Sequence, residues 1–334
     1  MHVPLLNICM HTLFLYLFLS VAVLLFVFLV VLYLTTKDAI PVILRYASEK
    51  TFIDPIQEKN LNFPFIISVG TLSLSVVVPA YNEEQRLPIM LDETLEYLEN
   101  RQKKEGSFTY EIIIVDDGSK DGTTKVGLEY VKKYGTEKIR VLTFEKNRGK
   151  GGAVRMGVFC SRGSKILFVD ADGATKFSDL DRVEEGLDEL HEGKNNMAVS
   201  VGSRAHLKDD AVAQRTFIRN LLMYGFHFIV YFFCVKGVED TQCGFKLFTR
   251  KAALTLFSSL HVERWAFDVE LLYIAQCLGI PVAEKAVNWQ EIDGSKMVPI
   301  FSWLQMGKDL LLIRARYMIG AWQLSRGQPN VIDV

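Results

Sequence analysis

The sequence predicts an α/β body on a mainly parallel sheet, carried by one apolar N-terminal helix. Three observations carry that expectation. Short β-branched runs alternate with helical stretches between residues 72 and 201, the pattern that right-handed strand–helix–strand crossovers require. The densest polar chemistry of the chain sits where those runs end. Residues 12–34 contain no charged side chain. At 334 residues there is room for one large domain or two small ones.

The apolar stretch comes first. At about 1.5 Å per residue it crosses a hydrocarbon core of about 30 Å. Its Leu, Phe and Val residues each favour insertion by about 0.3–0.6 kcal/mol. A cleaved signal peptide would need a basic start and a small-residue cleavage site. Residues 1–11 hold no Lys or Arg, and Leu34-Thr35-Thr36-Lys37 offers no such site. Residues 1–36 therefore read as a membrane anchor. Lys37, Arg45 and Lys50 follow the span and nothing basic precedes it, which predicts a cytosolic body. Residues 37–71 read as a juxtamembrane connector, with Pro41, Pro55 and Pro64 preventing a long helix.

The regular pattern then begins. Residues 74–78 are a β-branched strand stopped by Pro79, followed by a helix over 85–104 with Leu87, Leu91, Leu95 and Leu98 on one face. Strands are expected at 111–115, 138–144, 165–169 and 197–201, with helices after Asp121 and from Gly152. The strand ends Pro79, Asp116, Glu145 and Asp170 should share one sheet edge, where open α/β folds bind ligands. From residue 203 the pattern changes. Residues 217–235 and 301–322 are apolar stretches interrupted by basic and aromatic residues, which suits helices lying in the headgroup layer. A second span and a buried core helix are the competing readings.

Composition removes several classes. The net charge is −1 and no long basic run exists, so nucleic acid is not an expected partner. The 5 cysteines (Cys9, Cys160, Cys234, Cys243, Cys277) include no CxxC pair, which leaves neither a disulfide framework nor a zinc site. A reducing compartment follows.

Four segments carry chemistry. Asp170-Ala171-Asp172-Gly173 ends a buried run, and such a carboxylate pair can hold a hard divalent cation that also binds substrate phosphates. Pro79-Ala80-Tyr81-Asn82-Glu83-Glu84 can cup a base or ribose, or simply cap a helix. In Asp116-Asp117-Gly118-Ser119, one carboxylate can accept the imino N–H of a uracil, while Asp121 better caps the next helix. Lys146-Asn147-Arg148-Gly149-Lys150-Gly151-Gly152 combines glycines for close backbone approach with two cations for phosphate. It fits neither the Walker spacing nor the dinucleotide fingerprint.

Together these segments resemble the family 2 glycosyltransferases of GT-A fold, from about residue 74 to 172. The blocks Val201-Gly202-Ser203-Arg204, Asp240-Thr241-Gln242-Cys243-Gly244-Phe245-Lys246 and Arg264-Trp265-Ala266-Phe267-Asp268-Val269-Glu270 resemble the polyisoprenyl-phosphate members of that group. The resemblance implies a nucleotide-sugar-binding core over 72–202 and an acceptor part over 203–334. It implies UDP-glucose as donor, dolichyl phosphate as acceptor, Mg2+ or Mn2+ as cofactor, and the endoplasmic reticulum bilayer as location. Pro79, Tyr81, Asn82, Glu83 and one of Asp116 or Asp117 would hold the uridine. Arg148 and Lys150 would serve base or diphosphate, and Asp170 and Asp172 would divide ribose and metal, with Asp172 the main metal ligand. Arg204, Arg215, Arg219, Lys246 and Arg264 are candidates to grip the acceptor phosphate, and Asp240 and Asp268 to act as bases or orienters. Ala174 departs from relatives that place a polar residue there, which leaves the metal fewer protein ligands. Mannosyl transfer from GDP-mannose, and sugar-nucleotide binding without turnover, are the alternatives.

Overall fold

The computed structural model describes residues 3–36, 38–191, 196–207, 235–292, 299–325 and 327–333. Helix α1 (Val3–Thr35) contains the expected span: Thr12–Thr35 has mean hydropathy 3.1 and is only 6% buried by the rest of the protein. It is a candidate membrane span, since apolar side chains bare along nearly all of residues 12–35 suit an apolar solvent.

Among the described residues, seven strands form the main sheet, in the order β10-β8-β9-β7-β4-β5-β6. Its elements are β4 (Leu72–Ala80), β5 (Tyr110–Asp116), β6 (Ile139–Thr143), β7 (Gly163–Val169), β8 (Val199–Ser203), β9 (Phe245–Thr249) and β10 (Val282–Ala286). All neighbouring pairs are parallel except that β9 runs antiparallel to both β7 and β8. Both faces are covered, as a parallel sheet requires. Helices α2 (Leu87–Lys104), α3 (Thr123–Tyr134) and α5 (Leu180–His191) contribute to one apolar core, with Leu87, Leu91, Leu95 and Leu98 fully inward as the periodicity predicts. Helices α4 (Lys150–Phe159), α6 (Arg250–Ser259), α7 (Phe267–Cys277) and α8 (Pro299–Met318) contribute to the other.

Four differences from the sequence reading have physical causes. Strand β4 runs through Pro79 to Ala80, because its ladder with β7 ends at Val77 and the missing N–H lies beyond it. Strand β9 is not expected from sequence, since it contains Lys246 in a wholly buried run. The segment expected to be a connector is folded against the body. There β1 (Val42–Arg45) pairs in parallel with β11 (Asn330–Asp333), β2 (Thr51–Asp54) and β3 (Lys59–Asn62) form a hairpin, and Ile43, Phe52, Phe63 and Ile66 are buried in the core. Helix α8 buries Met306, Leu310 and Ile313 and exposes Leu311 and Met318, so one side of the expected headgroup helix is a core face. Residues 208–234, with Arg215, Arg219 and most of the 217–235 stretch, lie outside the described residues.

Candidate active site

The strand ends meet as the alternation predicts, because β4, β5, β6 and β7 are parallel. At the end of β4 the chain turns through Asn82 at φ 54, a conformation Asn tolerates better than most residues. The Asn82 amide donates to Ser119 Oγ at 2.9 Å, and its side-chain oxygen accepts from the Lys120 amide at 2.8 Å. The first two segments are thereby sewn together. Glu83 is buried and takes two 2.7 Å bonds from Arg86, one turn onward. Asp121 accepts from the Thr123 amide at 3.1 Å, at the start of α3, as expected.

Both carboxylates ending β5 are buried and engaged. Asp116 accepts from the Ser119 amide at 2.8 Å and from Thr124 Oγ1. Asp117 accepts from the Arg148 amide at 2.6 Å and the Gly149 amide at 2.9 Å. Asp117 thus pins the Lys146–Lys150 loop. Burial pushes its carboxyl from 3.8 up to about 6, against the two amide bonds. This folded value lies above the unfolded one, so the folded protein holds the extra proton between them. Stability from this group is complete below pH 4 and declines as pH rises to 6, by about 3 kcal/mol in all. Urea unfolding between pH 4 and 7 should show that slope in the wild type and lose it in Asp117→Asn; an identical slope in both would refute it.

The glycines after β6 make room for another segment of the chain. A Cβ on Gly149 would stand 2.8 Å from the Glu263 carbonyl oxygen and 3.0 Å from Arg264 Cγ, and one on Gly151 would stand 2.6 Å from Phe267 Cβ. They let the 263–267 segment lie directly on the start of α4. Arg148 points elsewhere, to Glu49, with two 2.8 Å bonds.

Lys150 begins α4 and pairs with Asp170 Oδ1 at 2.6 Å. Burial pulls its amine down, but Asp170, Asp268 and Asp172 outweigh it and hold the pKa above the ordinary value. Asp172 Oδ1 accepts from the Ala174 amide at 3.0 Å. Burial first, and the Asp170 charge second, raise its carboxyl pKa. Arg86 is held protonated mainly by Glu83 and further by Asp172 and Asp170. Sequence reading missed Arg86, although its i,i+3 spacing from Glu83 is a usable signal.

This donor set fits a hard divalent cation. Two carboxylates repel one another at a partly buried spot, and oxygen ligands are what Mg2+ and Mn2+ take. Gly244 supplies the room: a Cβ there would lie 2.0 Å from Asp170 Oδ2. Gly244→Ala is expected to displace the Asp170 carboxylate and lower kcat about 100-fold with little change in Tm. Activity within a factor of about three of wild type would refute the assignment.

Five further residues divide into two pairs and a single cation. Lys246 is fully buried and donates at 2.6 Å to both Asp268 Oδ1 and the Cys243 carbonyl. Asp268 is itself buried, which raises its carboxyl pKa against the pull of Lys246 and Lys150. Arg204 grips Asp240 through 2.7 and 2.9 Å bonds. Despite burial, that grip lowers Asp240 to about 2, a poor base. Arg264 is exposed and makes no ion pair among the described residues.

A mainly parallel sheet whose edge gathers an Asp-x-Asp pair, a lysine against it and a bonded cluster of Asn82, Glu83, Asp116 and Ser119 suits a sugar-nucleotide transferase. The family model for glycosyl transferase family 2 matches residues 75–257, and the chain belongs to that family. It is 62% identical to the human protein "Dolichyl-phosphate beta-glucosyltransferase" over 87% of this chain and 90% of that one. It is 56% identical to the Drosophila melanogaster protein of the same name, over 87% and 89%. The fold is GT-A. A crystal structure of glucosyl-3-phosphoglycerate synthase from Mycobacterium tuberculosis, with Mn2+, UDP and glucosyl-3-phosphoglycerate, superposes with a TM-score of 0.50 at 17% identity, covering 73% of this chain and 80% of that one.

Proposed function

We propose that this glycosyltransferase moves glucose from UDP-glucose to dolichyl phosphate, inverting the α-linked donor to a β-linked product. The observation that carries the reading is the 62% identity to the human dolichyl-phosphate β-glucosyltransferase along nearly the whole of both chains. We place the enzyme in the endoplasmic reticulum membrane through α1, with the body on the cytosolic face, on the strength of the basic residues after the span.

The chemistry suits the residues present. An acceptor phosphomonoester has a second pKa of about 6, so it is already a nucleophile at neutral pH and needs no protein base. Asp240, with its low pKa and its lock on Arg204, then acts as an anchor. Asp170 and Asp172 would hold Mg2+ or Mn2+, which supplies positive charge against the charge growing on departing UDP. Lys150, kept protonated by the carboxylates around it, offers a fixed donor to the same leaving group. The cluster of Asn82, Glu83, Asp116 and Ser119 positions the uridine, and Asp117 holds the loop that brings Lys150 to Asp170.

The test is a detergent-micelle assay with labelled UDP-glucose, GDP-mannose and UDP-N-acetylglucosamine, each with and without dolichyl phosphate and a chelator. Label should enter lipid from UDP-glucose alone and only with free divalent metal. Labelled lipid from GDP-mannose would replace the donor assignment.

A further inference from the structure

A cavity of about 680 Å³ lies at the foot of α1, outside the carboxylate site. Its lining begins with Thr35 and Thr36, the point where the candidate span ends, and includes Pro41, Val42 and Leu44 as an apolar wall. Opposite them stand arginines. Arg148 is spent on Glu49, and Arg155 on Glu263 and the Leu260 carbonyl. Two others, Arg264 and Arg316, make no ion pair among the described residues. The Arg316 guanidinium lies 4.7 Å from the ring centre of Trp322, and its Nε is buried without a hydrogen-bond partner among them. The Arg155 Nε shares that condition, and a buried donor left unmade costs about 1–3 kcal/mol, more when charged, so an anion in the cavity would be stabilised there. Asp38 is the lining carboxylate without an ion pair among the described residues, which leaves cations in excess.

Position narrows the anion. A phosphate at the level where a helix leaves the bilayer, beside an apolar wall, is the headgroup of a lipid. The cavity also shares a wall with the donor site: Arg264 packs on Gly149, the residue before Lys150, and Lys150 holds Asp170. Two anions that must react are thus served by cations on two sides of one loop.

We infer that this cavity docks the phosphate of the acceptor lipid, with Arg264 and Arg316 gripping it and residues 41–44 lining the first part of its chain. The inference rests on the lipid-phosphate acceptor proposed above and adds to Arg264, already a candidate there, a second cation, Arg316, which lies outside every sequence segment that suggested the site.

The test uses the full chain in detergent micelles and reads thermal stabilisation by a short isoprenyl phosphate, phosphatidic acid or inorganic phosphate, in wild type, Arg316→Gln and Arg316→Lys. The isoprenyl phosphate should stabilise the wild type, fail with Arg316→Gln and recover in part with Arg316→Lys, while stabilisation by UDP with Mg2+ is the same in all three. In the transfer assay Arg316→Gln should raise the apparent KM for dolichyl phosphate about tenfold and leave that for UDP-glucose unchanged, the loss of one charged contact. Equal stabilisation of wild type and Arg316→Gln overturns the site. Equal stabilisation by phosphatidic acid makes it a bilayer-phospholipid site, and by inorganic phosphate alone a plain anion site; either overturns the acceptor assignment. If the wild type binds isoprenyl phosphate through Arg316 but transfers no glucose to it, the proposed activity falls and the cavity stands.

Discussion

Asp172→Asn should reduce glucose transfer about 1,000-fold or more, because it removes half of the negative charge available to hold a divalent cation where the leaving diphosphate needs it. The substitution is nearly isosteric, and the retained oxygen can still accept from the Ala174 amide that orients it. Burial and the neighbouring Asp170 charge already disfavour the carboxylate, so neutralising it relieves repulsion. The expected signature is therefore a split: activity lost, Tm equal to wild type or higher. Initial rates with excess Mg2+ or Mn2+, beside thermal unfolding of the same preparation, check both halves. A rate within about tenfold of wild type would remove Asp172 from the metal site.

The largest stability effect is expected from Lys246→Met. Its ammonium is fully enclosed and donates at 2.6 Å to Asp268 and to the Cys243 carbonyl. Removing it strands the Asp268 carboxylate, which is 3% exposed. Breaking a buried pair from one side costs about 3–5 kcal/mol, whereas replacing both partners by apolar groups is often neutral. Lys246→Met should lower Tm by about 10 °C in a body of this size. The double variant Lys246→Met/Asp268→Leu should recover most of the loss. A single variant as stable as wild type would show that the pair is not closed off from solvent.

Much of the fold was legible in the chain. Residues 76–78, 112–115 and 166–169 are unbroken apolar runs rich in Val and Ile, which is what burial on both faces of a parallel sheet demands. Leu87, Leu91, Leu95 and Leu98 recur at helical spacing and all face inward. The shared edge followed from these two facts, and with it the meeting of Asn82, Asp116, Lys150 and Asp170. Less legible was the use each residue is put to. Gly149 and Gly151 announce a close approach, but the sequence cannot say that the 263–267 segment makes it. Arg204 and Asp240 are both plausible site residues by type, and only their mutual bonds show that each occupies the other.

By itself the sequence determined the apolar helix, the alternation that builds the sheet, and the acidic and basic residues at the strand ends. These depend on side chains close along the chain, where spacing alone fixes which face a residue takes. The tertiary structure decided the antiparallel β9 with its buried lysine, the folding of residues 42–66 onto the body, and the cavity between α1, the Arg148 loop and Arg316. Each depends on partners far apart in sequence: Lys246 with Asp268, Glu49 with Arg148, Thr35 with Arg316. Whether a charge is a surface ornament, a buried pair or a free cation is set by such distant neighbours, through the cost of removing it from water.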